Sequence, residues 1–112
     1  MQKRFRFGKR EKVRNSNEFR NTMRRGTRAY SKNLVIFGRK NEKGFCRLGV
    51  VVKKESGPAC FRNRLKRLFR EYFRLHKSNF QADSDLIILV KKECDIRKYG
   101  DAEKELNRLL SS

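Results

Sequence analysis

The sequence predicts a single α+β domain, a two-layer sandwich in which helices pack on one face of a sheet. Its 112 residues are enough for one domain and too few for two. Hydrophobic residues make up 37% of the chain and nine residues are Phe, so a core can form despite a formal net charge of +19. Apolar runs of strand length alternate with segments of helical periodicity, in the order α-β-β-(β)-α-β-α.

The N-terminal part of the chain predicts a basic arm followed by a helix. Residues 1–12 are rich in Lys and Arg, and we interpret them as an arm of the single domain that spans residues 1–112. A helix is predicted over Asn15–Arg25, because Asn15 can cap it and Glu18 stands at the capping-box position. Gly26 is a typical residue for the end of such a helix.

Four segments have the composition of strands. Leu34–Gly38 and Phe45–Val52 are rich in β-branched residues, and the polar turn between them predicts an antiparallel hairpin. A short strand around Thr27–Tyr30 is optional. Leu86–Val90 is apolar at every position, which is typical of a strand covered on both faces, so we expect it at the centre of the sheet. A final helix is predicted over Asp101–Leu110.

The segment Phe61–Lys77 predicts an amphipathic helix with one cationic face. At about 100° per residue, its apolar face holds Leu65, Leu68, Phe69, Tyr72, Leu75 and His76, with Phe73 at the edge. The opposite face holds Asn63, Lys66, Arg67, Arg70, Arg74 and Lys77. An ordinary solvated helix face mixes charge signs, whereas charges of one sign repel unless a partner neutralises them. The segment therefore indicates a surface that binds a polyanion.

The distribution of charge narrows the class of partner. Residues 83–112 carry six basic and seven acidic groups, so the excess positive charge lies in the first 77 residues. Nucleic acid is the leading candidate. A membrane surface is the weaker one, because the apolar face of the basic helix is needed for the core. No apolar run reaches the roughly 18 residues of a membrane span, and the N-terminus does not resemble a secretory signal.

The cysteines indicate a reducing compartment. They are odd in number and widely spaced, without a C-x-x-C pair: Cys46, Cys60 and Cys94. This pattern is typical of free thiols in a reducing environment, so we expect a cytoplasmic protein.

Residues typical of an active site do not form a recognisable pattern. His76 is the only histidine and lies on the apolar face of its helix, which predicts a core or boundary residue. Asp83 and Asp85 precede a strand, where carboxylates are usually solvated or cap the backbone. There is no glycine-rich phosphate loop and no metal-ligand spacing, so we assign the chain no catalytic or metal-binding residue of its own.

Aromatic residues near the basic segments leave two interpretations open. Phe19 and Met23 are four residues apart and share a helix face. They can pack the first helix on the sheet, or they can form a platform on which unpaired bases stack, with Phe37 as a third member.

The segment that opens the basic helix resembles the signature of the bacterial ribonuclease P protein subunit. The matching residues are Gly57-x-Ala59-x-x-Arg62-Asn63-Arg64-x-x-Arg67-x-x-Arg70. Phe19, Met23 and Gly26 are similar to the end of that family's first helix, and the apolar strand that ends in Lys53 and Lys54 is similar to another family segment. The resemblance extends over nearly the whole chain.

The resemblance implies a fold and a role. The fold would be a mixed sheet with a left-handed β-α-β crossover. The protein would act as a monomer within a ribonucleoprotein, an endoribonuclease that removes the 5′ leader from precursor tRNA. The catalytic RNA would hold the active site and its magnesium ions. A basic ribosomal protein, or a general RNA-binding or chaperone protein without a processing role, is the alternative.

The resemblance also implies two groups of site residues. The residues facing the catalytic RNA would be Arg62, Asn63, Arg64, Lys66, Arg67 and Arg70, and the cationic face adds Arg74. A cleft between the first helix and the sheet would bind the single-stranded leader through Phe19, Met23 and Phe37, with Lys53, Lys54 and Lys91 as phosphate contacts.

Overall fold

The computed structural model describes residues 16–41, 44–76, 80 and 84–111, and the side chains of residues 16–19 and 111 lie outside this description. The elements are α1 Ser16–Arg25, β1 Thr27–Tyr30, β2 Leu34–Lys40, β3 Arg47–Val52, a 3₁₀ turn Lys54–Ser56, α2 Ala59–Leu75, β4 Ser84–Val90 and α3 Tyr99–Ser111. This order confirms the predicted α+β arrangement, and the optional strand is present as β1. The predicted arm, the Asn15 cap, Lys77 and Asp83 lie outside the described residues.

The four strands form one mixed sheet in the order β1-β2-β4-β3. β4 is antiparallel to β2, with Ile87 opposite Phe37, and parallel to β3, with Ile88 opposite Val50. The predicted central position of β4 is confirmed. The predicted hairpin of β2 and β3 is wrong, because β4 is apolar on both faces and occupies the buried place between them. The parallel connection runs from β3 through α2 to β4, and its left-handed sense stays a prediction.

The larger core lies between one face of the sheet and the helices α2 and α3. Its members from the sheet are Leu34, Ile36, Leu48, Val52, Leu86, Ile88 and Val90. Its members from the helices are Leu65, Phe69, Tyr72, Phe73, Ala102 and Leu106, and the loop after β4 adds Cys94 and Ile96. The apolar face of α2 is turned slightly from the predicted one, since Phe73 is 1% exposed and Leu75 is 44% exposed. His76 stacks on Tyr72 with ring centroids 4.1 Å apart, at the boundary of this core as predicted.

Helix α1 packs on the opposite face of the sheet, which corrects the expectation that all helices share one face. Val35, Phe37 and Ile87 form a small second core there, against which Met23 of α1 packs. Gly26 makes this contact possible. A Cβ atom on Gly26 would lie 2.3 Å from the carbonyl oxygen of Gly38, so only glycine lets the end of α1 approach β2 this closely.

A buried ion pair lies on the same face as α1. Arg47 of β3 is the register partner of Asp85 on β4, and both side chains are less than 10% exposed. The guanidinium donates through Nε to Oδ1 and through Nη2 to Oδ2, both at 2.7 Å. Asn41 Nδ2 also donates to Oδ1 at 2.7 Å. The prediction that Asp85 is solvated or capping is therefore wrong, because its partner lies 38 residues away in the sequence.

A buried asparagine connects the β1–β2 turn to the C-terminal part of the chain. Asn33 Nδ2 donates to Asp95 Oδ1 at 2.7 Å and to Glu105 Oε1 at 2.9 Å. Its Oδ1 accepts the main-chain N–H of Asp95 at 3.1 Å. Lys32 Nζ donates to Asp95 Oδ2 at 2.6 Å, and these bonds hold the pKa of Asp95 below its ordinary value. The turn, the loop after β4 and α3 are thereby fixed to one another.

Candidate nucleic-acid interface

The start of α2 is set by a glycine and an arginine. Gly57 has a φ of +147°, and a Cβ atom at this position would lie 2.9 Å from the ring of Phe61. Arg62 Nε donates to the carbonyl oxygen of Gly57 at 3.1 Å, which ties the first turn of the helix to the preceding loop. The loop, helix start and basic residues therefore form one ordered unit.

The outer face of α2 is a cationic ridge, defined as Arg62, Asn63, Arg64, Lys66, Arg67, Arg70 and Arg74. Asn63, Arg64 and Arg67 are exposed, and the other four members are half-buried. Glu71 is the one acidic residue in the sequence of this helix. It pairs with Arg74, and the hydrogen bond from Arg74 lowers the pKa of Glu71. The predicted residues thus lie together on one helix, and an ion pair with Glu71 holds Arg74 near its C-terminal end.

Three further lysines lie beyond the ends of β3 and β4. These strands are parallel with Val52 opposite Val90, so the residues that follow them, Lys53 and Lys91, lie at the same end of the sheet. Lys53, Lys54 and Lys91 are all exposed. Lys91 Nζ donates to the carbonyl oxygen of Ser31 at 2.7 Å, so its ammonium group already has one protein partner.

The predicted aromatic platform is largely a packing contact in this structure. Met23 packs on the small core, and Phe37 is only 5% exposed. The guanidinium of Arg28 lies over the Phe37 ring, 5.4 Å from its centroid. The side chain of Phe19 lies outside the described residues. The packing interpretation is therefore confirmed for Met23 and Phe37, and base stacking at this site stays a prediction.

Several cationic residues near these surfaces were missed by the sequence interpretation. Arg28 lies over Phe37, Arg97 lies 5.0 Å from the ring centroid of Phe61, and Arg24 and Arg25 end α1 in exposed positions. Alternation along β1 places Arg28 on the face opposite the larger core. This was a usable signal, but the pairing of β1 with β2 was needed to place Arg28 opposite Phe37.

The described residues contain no group of three or more His, Cys, Asp or Glu side chains suited to hold a metal ion. No helix in the described part of the chain is long and apolar enough to cross a membrane.

A small α+β domain with a cationic ridge backed by its core defines a class of nucleic-acid-binding protein. The sequence model of the ribonuclease P family matches residues 7–112. The chain therefore belongs to the ribonuclease P protein family.

Curated relatives and solved structures agree with this assignment. The ribonuclease P protein component of Syntrophus aciditrophicus is 39% identical over 92% of this chain and 87% of its own length. That of Fusobacterium nucleatum is 36% identical over 89% of this chain and 94% of its own length. A mutant RNase P protein from Staphylococcus aureus, with defective mRNA degradation activity, superposes with a TM-score of 0.84 at 26% identity, over 92% of this chain and 87% of that one.

A second solved structure has the same fold. The RNase P protein from Thermotoga maritima, in complex with 1-(4-fluorophenyl)-2-thiourea, has a TM-score of 0.80 at 29% identity and covers 88% of this chain and 96% of that one. Family membership makes this chain an RNA-binding protein component of the endoribonuclease that processes the 5′ end of tRNA. The alternative of a ribosomal or general chaperone protein is not favoured.

Proposed function

We propose that this protein binds the catalytic RNA of ribonuclease P through the cationic ridge of α2. We further propose that it holds the single-stranded 5′ leader of precursor tRNA in the cleft between α1 and the sheet. The observation that carries the proposal is the ridge itself, with Arg64 and Arg67 exposed on a helix whose other face is locked into the core. A rigid helix presents these charges at fixed spacing to a folded RNA.

The chemistry of the ridge suits phosphate. Arginine offers planar, bidentate hydrogen bonding to phosphate oxygens, and five of the seven ridge residues are Arg. Each phosphate that the ridge neutralises releases counterions from the RNA. Binding should therefore weaken steeply as the salt concentration rises.

The cleft suits a strand of variable sequence. A single-stranded leader can be held by stacking and backbone charge, without hydrogen bonds to particular bases. In this proposal its phosphates contact Lys53, Lys54 and Lys91, which are exposed at one end of the sheet. The protein contributes binding, positioning and charge, and in this proposal the magnesium ions used in cleavage are held by the RNA. The protein acts as a monomer within the ribonucleoprotein, in the cytoplasm.

The ridge is tested by removing two of its exposed charges. Arg64→Ala with Arg67→Ala should weaken binding to the catalytic RNA and reduce the slope of log K against log salt by about 1.4–1.8, since each phosphate contact contributes about 0.7–0.9. Binding is measured by filter binding or gel shift across a salt series. The matched control, Lys104→Ala with Arg108→Ala, removes two exposed charges that lie on α3 and not on the ridge. Equal losses for both double variants, or no loss for the ridge variant, would contradict the proposal.

The processing role is tested by reconstitution. The purified protein, added to the catalytic RNA at low magnesium concentration, should restore removal of the leader from precursor tRNA. Phe19→Ala should weaken binding of substrates that carry a leader and leave the affinity for mature tRNA nearly unchanged. Failure of the protein to stimulate cleavage would contradict the processing role. An equal loss of affinity for both substrates in the variant would count against the leader cleft.

A further inference from the structure

Phe37 does not offer a free ring face to a base, because Arg28 lies over it. The two residues are register partners on the antiparallel strands β1 and β2, and the guanidinium carbon is 5.4 Å from the ring centroid. At 5% exposure, Phe37 presents almost no surface to solvent. The group that meets solvent above this ring is the exposed Arg28.

The guanidinium of Arg28 is held at a second point. Its Nη2 donates to the carbonyl oxygen of Met23 at 3.1 Å, in the last turn of α1. The close approach of Gly26 to Gly38 fixes the distance between the end of α1 and β2, and so fixes both anchors of the guanidinium. Arg28 is therefore ordered before any ligand arrives, unlike an ordinary surface arginine that must give up rotamer freedom on binding.

A planar guanidinium has two faces, and only one is needed to cover Phe37. Guanidinium groups stack on nucleobases, and unpaired bases in RNA are commonly recognised in this way. The same group carries a positive charge and further N–H donors for the phosphate that adjoins a stacked base. An arginine anchored on an aromatic ring can thus stack on the base of a single-stranded nucleotide and also bind its phosphate.

We propose that Arg28 contacts the substrate directly, and that the outer face of its guanidinium stacks on one nucleobase of the single-stranded leader. Phe37, the guanidinium and the base then form a stack of three layers, in which the arginine replaces the aromatic ring as the surface that the RNA meets. This inference rests on the proposed function, since it places the leader in the cleft beside α1. It adds a residue that is outside the set expected from the family resemblance.

The test uses the reconstituted holoenzyme and precursor tRNAs in which single leader nucleotides are made abasic, one position at a time. With the unchanged protein, removal of the contacted base should weaken precursor binding about 5- to 160-fold at one position, the range expected for one stacked base. With Arg28→Ala or Arg28→Lys, the abasic change at that position should cost less than about two-fold. Lysine retains the charge but not the planar face, so the Lys variant separates stacking from electrostatics. The matched control Arg108→Ala removes an exposed arginine from α3, on the other side of the sheet, and should keep the full abasic sensitivity.

Two results would overturn the inference and leave the proposed function intact. The first is an Arg28→Ala holoenzyme that keeps the full abasic sensitivity at every position. The second is a variant with a lowered melting temperature and a uniform loss for all leaders, which would make Arg28 a structural clasp for α1. If the unchanged protein binds precursor and mature tRNA equally well, the proposed leader cleft itself fails.

Discussion

The two faces of the sheet are built differently. In the described part of the chain, the face that carries α2 and α3 has a core of fifteen buried residues, whereas the face that carries α1 has three. The smaller face also holds a buried ion pair and an arginine over a phenylalanine ring. The larger core supplies most of the hydrophobic stabilisation, while the face with α1 has a thin core. In the proposed function, the leader therefore contacts the face opposite the one that stabilises the fold.

Removing one member of the buried ion pair on the smaller face should cause the largest loss of stability. Arg47→Ala should lower the free energy of unfolding by about 3–5 kcal/mol, because Asp85 would be left charged and buried without its main partner. Urea denaturation measures this loss. The double variant Arg47→Met with Asp85→Leu should recover most of it, since no unpaired charge remains. A single variant as stable as the unchanged protein would show that the pair is open to water.

Substitutions at two neighbouring isoleucines compare how much each core contributes to stability. Ile88 points into the larger core and Ile87 into the smaller one, and both are at most 2% exposed. Ile88→Ala should cost about 3–4 kcal/mol and Ile87→Ala about 2–3 kcal/mol, because a thin core can collapse further around the lost volume. Denaturant midpoints of the two variants check the ranking. A reversed order would mean that the side with α1 is the more rigid one.

The contact of α1 with the sheet can be tested at one atom. Gly26→Ala should cost about 1–3 kcal/mol, since its Cβ meets the backbone of Gly38 and Thr22, which cannot move aside as a side chain would. Gly100 on α3 is the control, because a Cβ there meets nothing within 4 Å. Gly100→Ala should leave stability unchanged or raise it by about 0.5 kcal/mol. Thermal unfolding of both variants gives the comparison, and a neutral Gly26→Ala would argue against the close approach.

The smallest expected effect is the pH dependence of the stability that Asp95 contributes. The bonds from Lys32 and then Asn33 lower its pKa from the ordinary value of 3.8. A carboxyl group whose pKa is lowered by folding stabilises the fold at pH values above its ordinary pKa. This stabilisation is lost as the pH falls through the lower pKa of the folded state. Asp95→Asn should therefore be less stable than the unchanged protein near neutral pH, and the difference should shrink below pH 3.8. Melting temperatures across an acid series measure this, and a constant difference would contradict it.

The local elements follow from the sequence because their causes are local. The amphipathic period of α2 and the apolar run of β4 each depend on residues close together in the chain. The rotation that buries Phe73 and exposes Leu75 depends on what α2 packs against, so helical spacing alone misplaced both residues.

The pairings that the sequence did not reveal join residues far apart. The insertion of β4 between β2 and β3 and the bond between Arg47 and Asp85 depend on strand order, which local pattern does not encode. The same reason applies at the site. The ridge was predictable because it lies on one helix, whereas the contact of Arg28 with Phe37 needed the register of two strands.

The order of the strands has a consequence during synthesis on the ribosome. β4 lies between β2 and β3 in space but follows both in the sequence, so the sheet stays split until residue 90 has left the exit tunnel. Glu105, which holds Asn33, emerges later still. The cationic α2 is therefore translated before the strand that lets it pack, and a nascent chain stalled at this stage leaves unpaired the edges of β2 and β3 that face the missing strand. The four-stranded sheet can therefore close only after β4 has emerged, although β2, β3 and α2 are available earlier.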